Sequence, residues 1–252
     1  MNKSQSFYQQ RESIQNHYQK IAKNYNSFWD TIDRLISPKI ASHLQLKPTD
    51  RFVDLGCGTG LIVKTIDNQI NFTLPVTCVD LSEEMLKEIS TSGKHKAIVM
   101  DVVEFAASSG TYDKILVKGM IHHIDDKQKF LSNLFDRLTN EGILLIVMHP
   151  PTVEHPLFKA ALKRYQELQP HYDYIINILN NLGFQTELVK IEQPISLDKS
   201  SFIEMVQNRY MSFLSGFTPS EIQTGIKEIK QNYYNLSVLN FPERLIFIIA
   251  KK

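Results

Sequence analysis

The residues whose types and spacing best suit chemistry lie in one glycine-rich run and at one acid downstream of it. The run is Val53-Asp54-Leu55-Gly56-Cys57-Gly58-Thr59-Gly60, and the acid is Asp80. An apolar stretch leads into the run and helix-compatible sequence begins near Leu61, so the run reads as a strand-to-helix turn. Glycines there let the backbone turn sharply and approach a ligand without Cβ clashes, and amides at a helix start favour an electron-rich group. NAD and FAD folds use the same physics, but their fingerprint puts its third glycine three residues after the second. Here that position is Leu61, and the pattern is Gly-x-Gly-x-Gly with Asp54 two residues ahead. Asp80 ends the next apolar run, where a carboxylate can accept hydrogen bonds from both hydroxyls of an adenosine ribose. Taken alone, Asp80 fits NAD equally well.

Histidines supply the other candidates. His122 and His123, close to Asp125 and Asp126, have the ligand types a transition metal prefers, but adjacent histidines point in different directions and no metal site is expected. His149 follows an apolar run at the carboxyl edge, where open α/β sheets bind ligands. It suits a general base working near neutral pH, or a residue shaping the Pro150-Pro151 turn. His155, Glu154 and Tyr210 fit the same role less well. Cys57 and Cys78 sit 21 residues apart, which is neither a metal-ligand spacing nor a disulfide framework.

The elements that must position these residues follow from periodicity. Residues 5–45 read as helical, with Ile14, Tyr18, Ile21, Ala22 and Tyr25 at helical spacing. Short apolar runs then alternate with amphipathic segments: Arg51–Leu55, Val76–Asp80, Ala97–Met100, Lys114–Lys118 and Ile143–Met148. That rhythm implies parallel strands of a doubly wound sheet. Beyond Met148, helices are expected over Pro156–Leu168 and Tyr172–Leu182 and a strand over Phe184–Ile191. Helical sequence over 199–234 is broken at Gly216–Pro219, with Thr218 or Ser220 as cap, and Arg244–Ala250 is the last strand. At 252 residues the chain can bury one substantial core. A formal charge of +1 gives no basic excess of the kind nucleic acid demands. With no apolar leader and no membrane-length apolar stretch, the expected home is the cytoplasm, with no membrane partner and a monomer or homodimer.

The 53–60 run resembles motif I of class I S-adenosylmethionine-dependent methyltransferases, and the resemblance continues to about residue 148. Cys78-Val79-Asp80-Leu81-Ser82-Glu83-Glu84-Met85-Leu86 is similar to the family's second strand and following helix, Asp101 matches its adenine-binding acid, and Tyr112–Gly119 matches its fourth strand. Met120-Ile121-His122-His123-Ile124 and Gly142–Met148 continue the match. The resemblance implies an α/β fold with a Rossmann-like, doubly wound, seven-stranded, mostly parallel sheet, a reversed C-terminal hairpin and helical additions. It implies one domain over 1–252: an N-terminal helical lid over 1–48, a cofactor-binding core over 49–150, and substrate-covering helices over 151–183 and 196–236.

It also implies S-adenosyl-L-methionine as cofactor, held by Tyr18, Tyr25, Asp54, Gly56, Cys57, Gly58, Gly60, Asp80, Leu81, Met85, Asp101, Val102 and Lys118. Leu81 and Val102 would flank the adenine, and Lys118 would offer backbone rather than side chain. The implied reaction is methyl transfer to an oxygen or nitrogen of a small organic molecule with an apolar body, with His149 as base and His123, His149, Met205, Arg209 and Tyr210 near the substrate. The helix around Phe202–Leu214 is apolar on more than one face, which suits a pocket roof, a dimer interface or a buried helix. The alternatives are a nucleic-acid or protein methyltransferase, which would carry an Asn/Asp-Pro-Pro-aromatic motif where this chain has Lys118-Gly119-Met120, and a non-catalytic nucleotide-binding module or dehydrogenase.

Overall fold

Strands and helices alternate through the first two thirds of the chain, as the apolar rhythm requires. The computed structural model describes residues 3–87, 89 and 94–252, except for the side chains of 3–14 and 22–28. In chain order it contains α1 (Lys3–Leu44), β1 (Phe52–Leu55), α2 (Leu61–Ile70), β2 (Val76–Asp80), α3 (Glu83–Leu86), β3 (His95–Val99), α4 (Val102–Ala107), β4 (Tyr112–Lys118), α5 (Lys127–Arg137) and β5 (Leu138–Met148). There follow α6 (Lys159–Leu168), α7 (Tyr172–Asn181), β6 (Gln185–Asp198), α8 (Lys199–Gln207), α9 (Pro219–Asn232) and β7 (Val238–Lys251). The seven strands form one sheet in the order β3-β2-β1-β4-β5-β7-β6. β1 pairs in parallel with β2 and β4, and β4 with β5, whereas β7 runs antiparallel to β5 from Ile143↔Lys251 to Met148↔Ile246.

Two differences from the sequence reading have simple causes. β6 and β7 each extend to 14 residues, well beyond the apolar runs that signalled them. β6 lies at the sheet edge, where outward positions such as Lys190 and Glu192 stay polar, so an apolar run marks only part of the strand. β5 begins at Leu138, ahead of the expected Ile143, because Thr139, Asn140 and Glu141 lie outside the core and break the apolar run.

The expected single domain divides into two compact units. One holds the sheet core: Trp29–Met148, Pro170–Lys190 and Ile246–Lys252. The other holds His149–Gln169 and Ile191–Leu245, with the part of α1 up to Phe28. Residues 29–44 and α7 belong with the sheet.

In the sheet unit, strand alternation sends side chains to two faces. Val53, Leu55, Val79, Ile115, Val117, Leu144 and Ile146 form one buried cluster with Phe105 of α4, Phe130, Leu131 and Leu134 of α5, and Ile175, Ile178 and Leu179 of α7. The opposite face carries Phe52, Asp54, Cys78, Leu116, Lys118 and Phe247, following the strand registers. The C-terminal part of α1 covers this second face. Ile36, Ile40 and Leu44 are buried at helical spacing, the His43 ring lies 5.6 Å from Phe247, and Asp33 reaches Lys118.

The other unit is built on α6, α8 and α9, with Phe158, Phe202, Val206, Leu214, Ile222 and Ile229 buried. α9 begins with a full capping box: Thr218 accepts from the Glu221 amide, Glu221 accepts from the Thr218 amide, and Pro219 opens the helix. Among the described residues no helix is long and apolar enough to cross a membrane.

Candidate active site

The glycine loop turns because three of its residues adopt a backbone that side chains disfavour: φ is +72° at Gly56, +54° at Gly58 and +70° at Gly60. A Cβ on Gly56 would lie 2.9 Å from Met120 Cγ, and one on Gly60 would lie 2.6 Å from Ile89 Cγ1. The loop is closely packed as well as strained. Its amides are largely taken within the protein. Gly56 and Cys57 donate to the Val79 carbonyl at 2.8 and 3.1 Å, Gly58 donates to Asp80 Oδ2 at 2.8 Å, and Gly60 donates to the Cys57 carbonyl at 3.0 Å. These four bonds hold the loop's shape.

Asp80 is the hinge of that arrangement. Its Oδ2 accepts from Gly58 and its Oδ1 from the Ser82 amide at 2.9 Å. Burial pushes its carboxyl up, while the amides of Ser82, Gly58 and Leu81 pull the other way. The two carboxylate oxygens offer four lone-pair sites in all, so the group keeps capacity for a ribose hydroxyl.

Asp54, Cys78, Asp80 and Lys118 project from the same sheet face, because Asp54 pairs with both Cys78 and Leu116 and strand side chains alternate. Asp54 is 2% exposed, and its Oδ1 has no hydrogen-bond partner. Burial pushes its carboxyl up to about 7, with Lys118 opposing and Asp80 and Asp33 adding to the rise. Burial beside the Cys78 thiol raises the Cys57 thiol well above its ordinary range. At the end of β4, Gly119 has φ +66°, and a Cβ there would meet nothing within 4 Å. An orphaned buried carboxylate oxygen and open space thus lie at the carboxyl end of the central strands. The residues present fit a ligand with an adenosine body and a charged tail.

Residues 53–146 match the family of methyltransferase domains. The match supports the resemblance of this stretch to class I S-adenosylmethionine-dependent methyltransferases. Among curated relatives of the domain, the malonyl-[acyl-carrier protein] O-methyltransferase of Bacillus anthracis is 29% identical over 97 residues, covering 38% of this chain and 36% of the relative. The demethylmenaquinone methyltransferase of Leptospira interrogans is 29% identical over 147 residues, covering 52% of this chain and 58% of the relative. The chain thus spans between about a third and three fifths of the length of these relatives. A solved structure of the Haemonchus contortus phosphoethanolamine N-methyltransferase 2, in complex with phosphomonomethylethanolamine and S-adenosylhomocysteine, superposes with a TM-score of 0.56 at 22% identity. It covers 86% of this chain and 52% of that one, and shares the fold.

Within the methyltransferase domain, the remaining sequence candidates are placed as follows. Asp101 caps α4, accepting from the Val103 amide at 2.7 Å. Val102 belongs to the core cluster and Met85 is buried in α3, whereas Leu81 is half-buried beside Asp80. His122 and His123 lie in a single 3₁₀ turn with ring centroids 3.9 Å apart. Lys118 reaches Asp33 Oδ1 with its side chain at 2.7 Å. The side chain of Tyr25 lies outside the described residues. Tyr18, in the other unit, is half-buried with its ring 5.0 Å from His17.

The second unit gathers the remaining candidates around a residue the sequence reading missed. Glu243 is 1% exposed; its Oε1 lies 2.6 Å from His149 Nε2 and its Oε2 lies 2.8 Å from His155 Nε2. Burial alone would raise this carboxyl, but the two histidines outweigh it and hold the group well below the usual carboxylate range. Tyr210 Oη lies 3.4 Å from His155 Nδ1, and burial next to Glu243 raises its phenol strongly. Met205, Tyr210 and Met211 are buried, and Arg209, at φ +55°, donates to the Phe217 carbonyl at 3.0 Å. Gln169 and Tyr165 donate to the carbonyls of His149 and Pro150, fixing the turn after β5. A signal for Glu243 was present: it falls in phase with Leu239, Phe241 and Leu245, an acid at an inward strand position. Asp33 was missed in the same way, in phase with Ile36, Ile40 and Leu44. Among the described residues no group of three or more His, Cys, Asp or Glu is arranged to hold a metal ion.

Proposed function

We propose that this protein transfers a methyl group from S-adenosylmethionine to an oxygen or nitrogen of a small organic molecule with an apolar body. The observation that carries the cofactor half is the tie between the glycine loop and Asp80. Gly58 donates to Asp80 Oδ2 at 2.8 Å, so the residue that orients a ribose also sets the loop beneath the adenosine. The orphaned Asp54 Oδ1 and the open space at Gly119 support a charged tail beyond it. When bound, the sulfonium supplies an already activated methyl carbon, leaving the protein to align the acceptor and keep the site dry.

On the acceptor side the proposed base is His149, which directly follows β5. Glu243 at His149 Nε2 favours the tautomer with the proton on that nitrogen, as the carboxylate of a catalytic triad does. The small-molecule reading is supported by the relatives' names, which include a demethylmenaquinone methyltransferase and a malonyl-[acyl-carrier protein] O-methyltransferase.

The test is calorimetry with S-adenosylmethionine, S-adenosylhomocysteine and NAD, then a metabolite-library screen for S-adenosylhomocysteine release with mass spectrometry of the product. Tighter binding of NAD, or binding indifferent to Asp80→Ala, overturns the cofactor reading. Turnover on nucleic acid or protein but on no metabolite overturns the substrate reading.

A further inference from the structure

Asp33, Asp54, Asp80 and Lys118 bring three carboxylates and one ammonium to a single sheet face at the carboxyl ends of β1, β2 and β4. The backbone at position 118 would serve an adenosine-type ligand whatever side chain it carried. Yet this chain places a lysine there, with a side chain only 18% exposed and an ammonium 2.7 Å from Asp33 Oδ1. Asp33 is itself 4% exposed at the side chain and comes from α1, not from the sheet. Taking both charges out of water is costly unless their hydrogen-bonding capacity is used. An ammonium has three donors, and here Asp33 Oδ1 lies at ion-pair distance from it. Close by, Asp54 Oδ1 is buried and unpartnered on the same face. A protein cation and an unpartnered protein carboxylate on one sheet face, on adjacent strands, are the complement of a zwitterion, such as the α-amino-acid end of the cofactor. The adenosine part carries neither charge.

We propose that the Lys118 side chain, oriented by Asp33, binds the α-carboxylate of the cofactor's amino-acid end, so that this chain selects ligands in which that end is intact. The inference rests on the cofactor reading above and deepens it, replacing a backbone contact at position 118 with a charged side-chain one. Lys118 contacts the ligand; Asp33 is a positioning residue.

The experiment compares two probes that differ only at the tail, S-adenosylhomocysteine and 5′-methylthioadenosine, by calorimetry on the full chain. Lys118→Met is expected to weaken S-adenosylhomocysteine about tenfold or more, the loss of one charge-assisted contact, and to leave methylthioadenosine within about twofold. Lys118→Arg keeps the cation and is expected to restore most of the affinity. Asp33→Asn is expected to weaken the first probe and spare the second. A ligand-free thermal melt checks that each variant folds, and Lys118→Gln replaces Lys118→Met if the latter does not. Equal losses for both probes would show that the pair merely ties α1 to β4 and overturn the proposal, as would no loss for S-adenosylhomocysteine. If the unaltered protein binds neither probe, the cofactor reading falls and takes this inference with it.

Discussion

Asp80 uses one carboxylate for two purposes, and that sets the effect of changing it. Its oxygens already hold the Gly58 and Ser82 amides, so a ribose must use the remaining lone pairs. Asp80→Asn preserves size but leaves a single accepting oxygen, so one amide of the turn loses its acceptor. Hydrogen bonds to a charged group contribute about 1.5 to 3 kcal/mol, so S-adenosylhomocysteine is expected to bind about 10- to 100-fold more weakly in calorimetry. Gly60→Ala tests the loop itself. With φ at +70° and Ile89 Cγ1 2.6 Å from the added methyl, backbone strain and overlap add, and the expected loss is about 1 to 3 kcal/mol in a denaturant melt. These residues were legible because their chemistry is written in type and spacing. Asp33 and Glu243 were not, although both sit in phase with apolar neighbours. An acid in such a position reads as surface until its partner is known, and the partners, Lys118 and the pair His149 and His155, are remote in sequence.

At the scale of elements, legibility follows the kind of burial. Strands β1, β2 and β4 are largely covered on both faces, so they appear as continuous apolar runs and were found to within two residues, whereas of β5 only the buried part Ile143–Met148 was found. The extra length of β6 is exposed or half-buried except at Ile195, and that of β7 mixes polar residues with apolar ones, so no run betrays them. Helix α9 was located from Gly216, Thr218 and Pro219, but its packing was not. Gly225 faces Phe158, and a Cβ there would lie 2.4 Å from that ring. Helix propensity favours Gly225→Ala by about 1 kcal/mol, whereas forcing a methyl into a packed contact costs about 1 to 3 kcal/mol. The clash wins, and thermal melts are expected to show net destabilisation. Glu243 on β7 joins two segments of its unit through His149 and His155, and breaking such a buried pair costs about 3 to 5 kcal/mol. Glu243→Gln should therefore lower stability at neutral pH. Because the folded carboxyl titrates well below its ordinary range, its stabilisation is present above that range and is lost as pH falls through and below it. Urea melts from pH 7 down to pH 3 should show a steep acid decline in the parent protein and a shallower one in Glu243→Gln. Equal slopes would mean that the carboxylate is not held ionised by the histidines.

For the whole molecule the sequence conveyed the sheet unit well and the other unit poorly. Parallel strands and their crossovers are local patterns joined by a general topology. The packing of α6, α8 and α9 depends instead on which apolar side chains happen to meet, such as Phe158 with Gly225. The two buried acids also act on global stability in opposite directions. Asp54 titrates in the folded state at about 7, above its ordinary value of 3.8, so the folded protein binds the extra proton between those values and loses stability as pH rises through them. The groups facing it are Asp33 from α1, Asp80 from β2 and Lys118 from β4, and their sum leaves the site short of positive charge. A ligand bringing an ammonium to Asp54 requires the ionised form. At pH 6 only about a tenth of the free protein has Asp54 ionised, which weakens such a ligand about tenfold relative to pH 8, or about 1.4 kcal/mol. A ligand at a hundred times its Kd stabilises by about 2.7 kcal/mol, which in a protein this size raises Tm by roughly 5 to 10 °C. With S-adenosylhomocysteine fixed at that concentration for pH 8, the shift is expected to halve at pH 6. In Asp54→Asn the shift should be smaller but the same at both pH values, which assigns the dependence to Asp54. An unaltered protein with equal shifts at pH 6 and pH 8 would rule out Asp54 as the group that meets the ligand's positive charge.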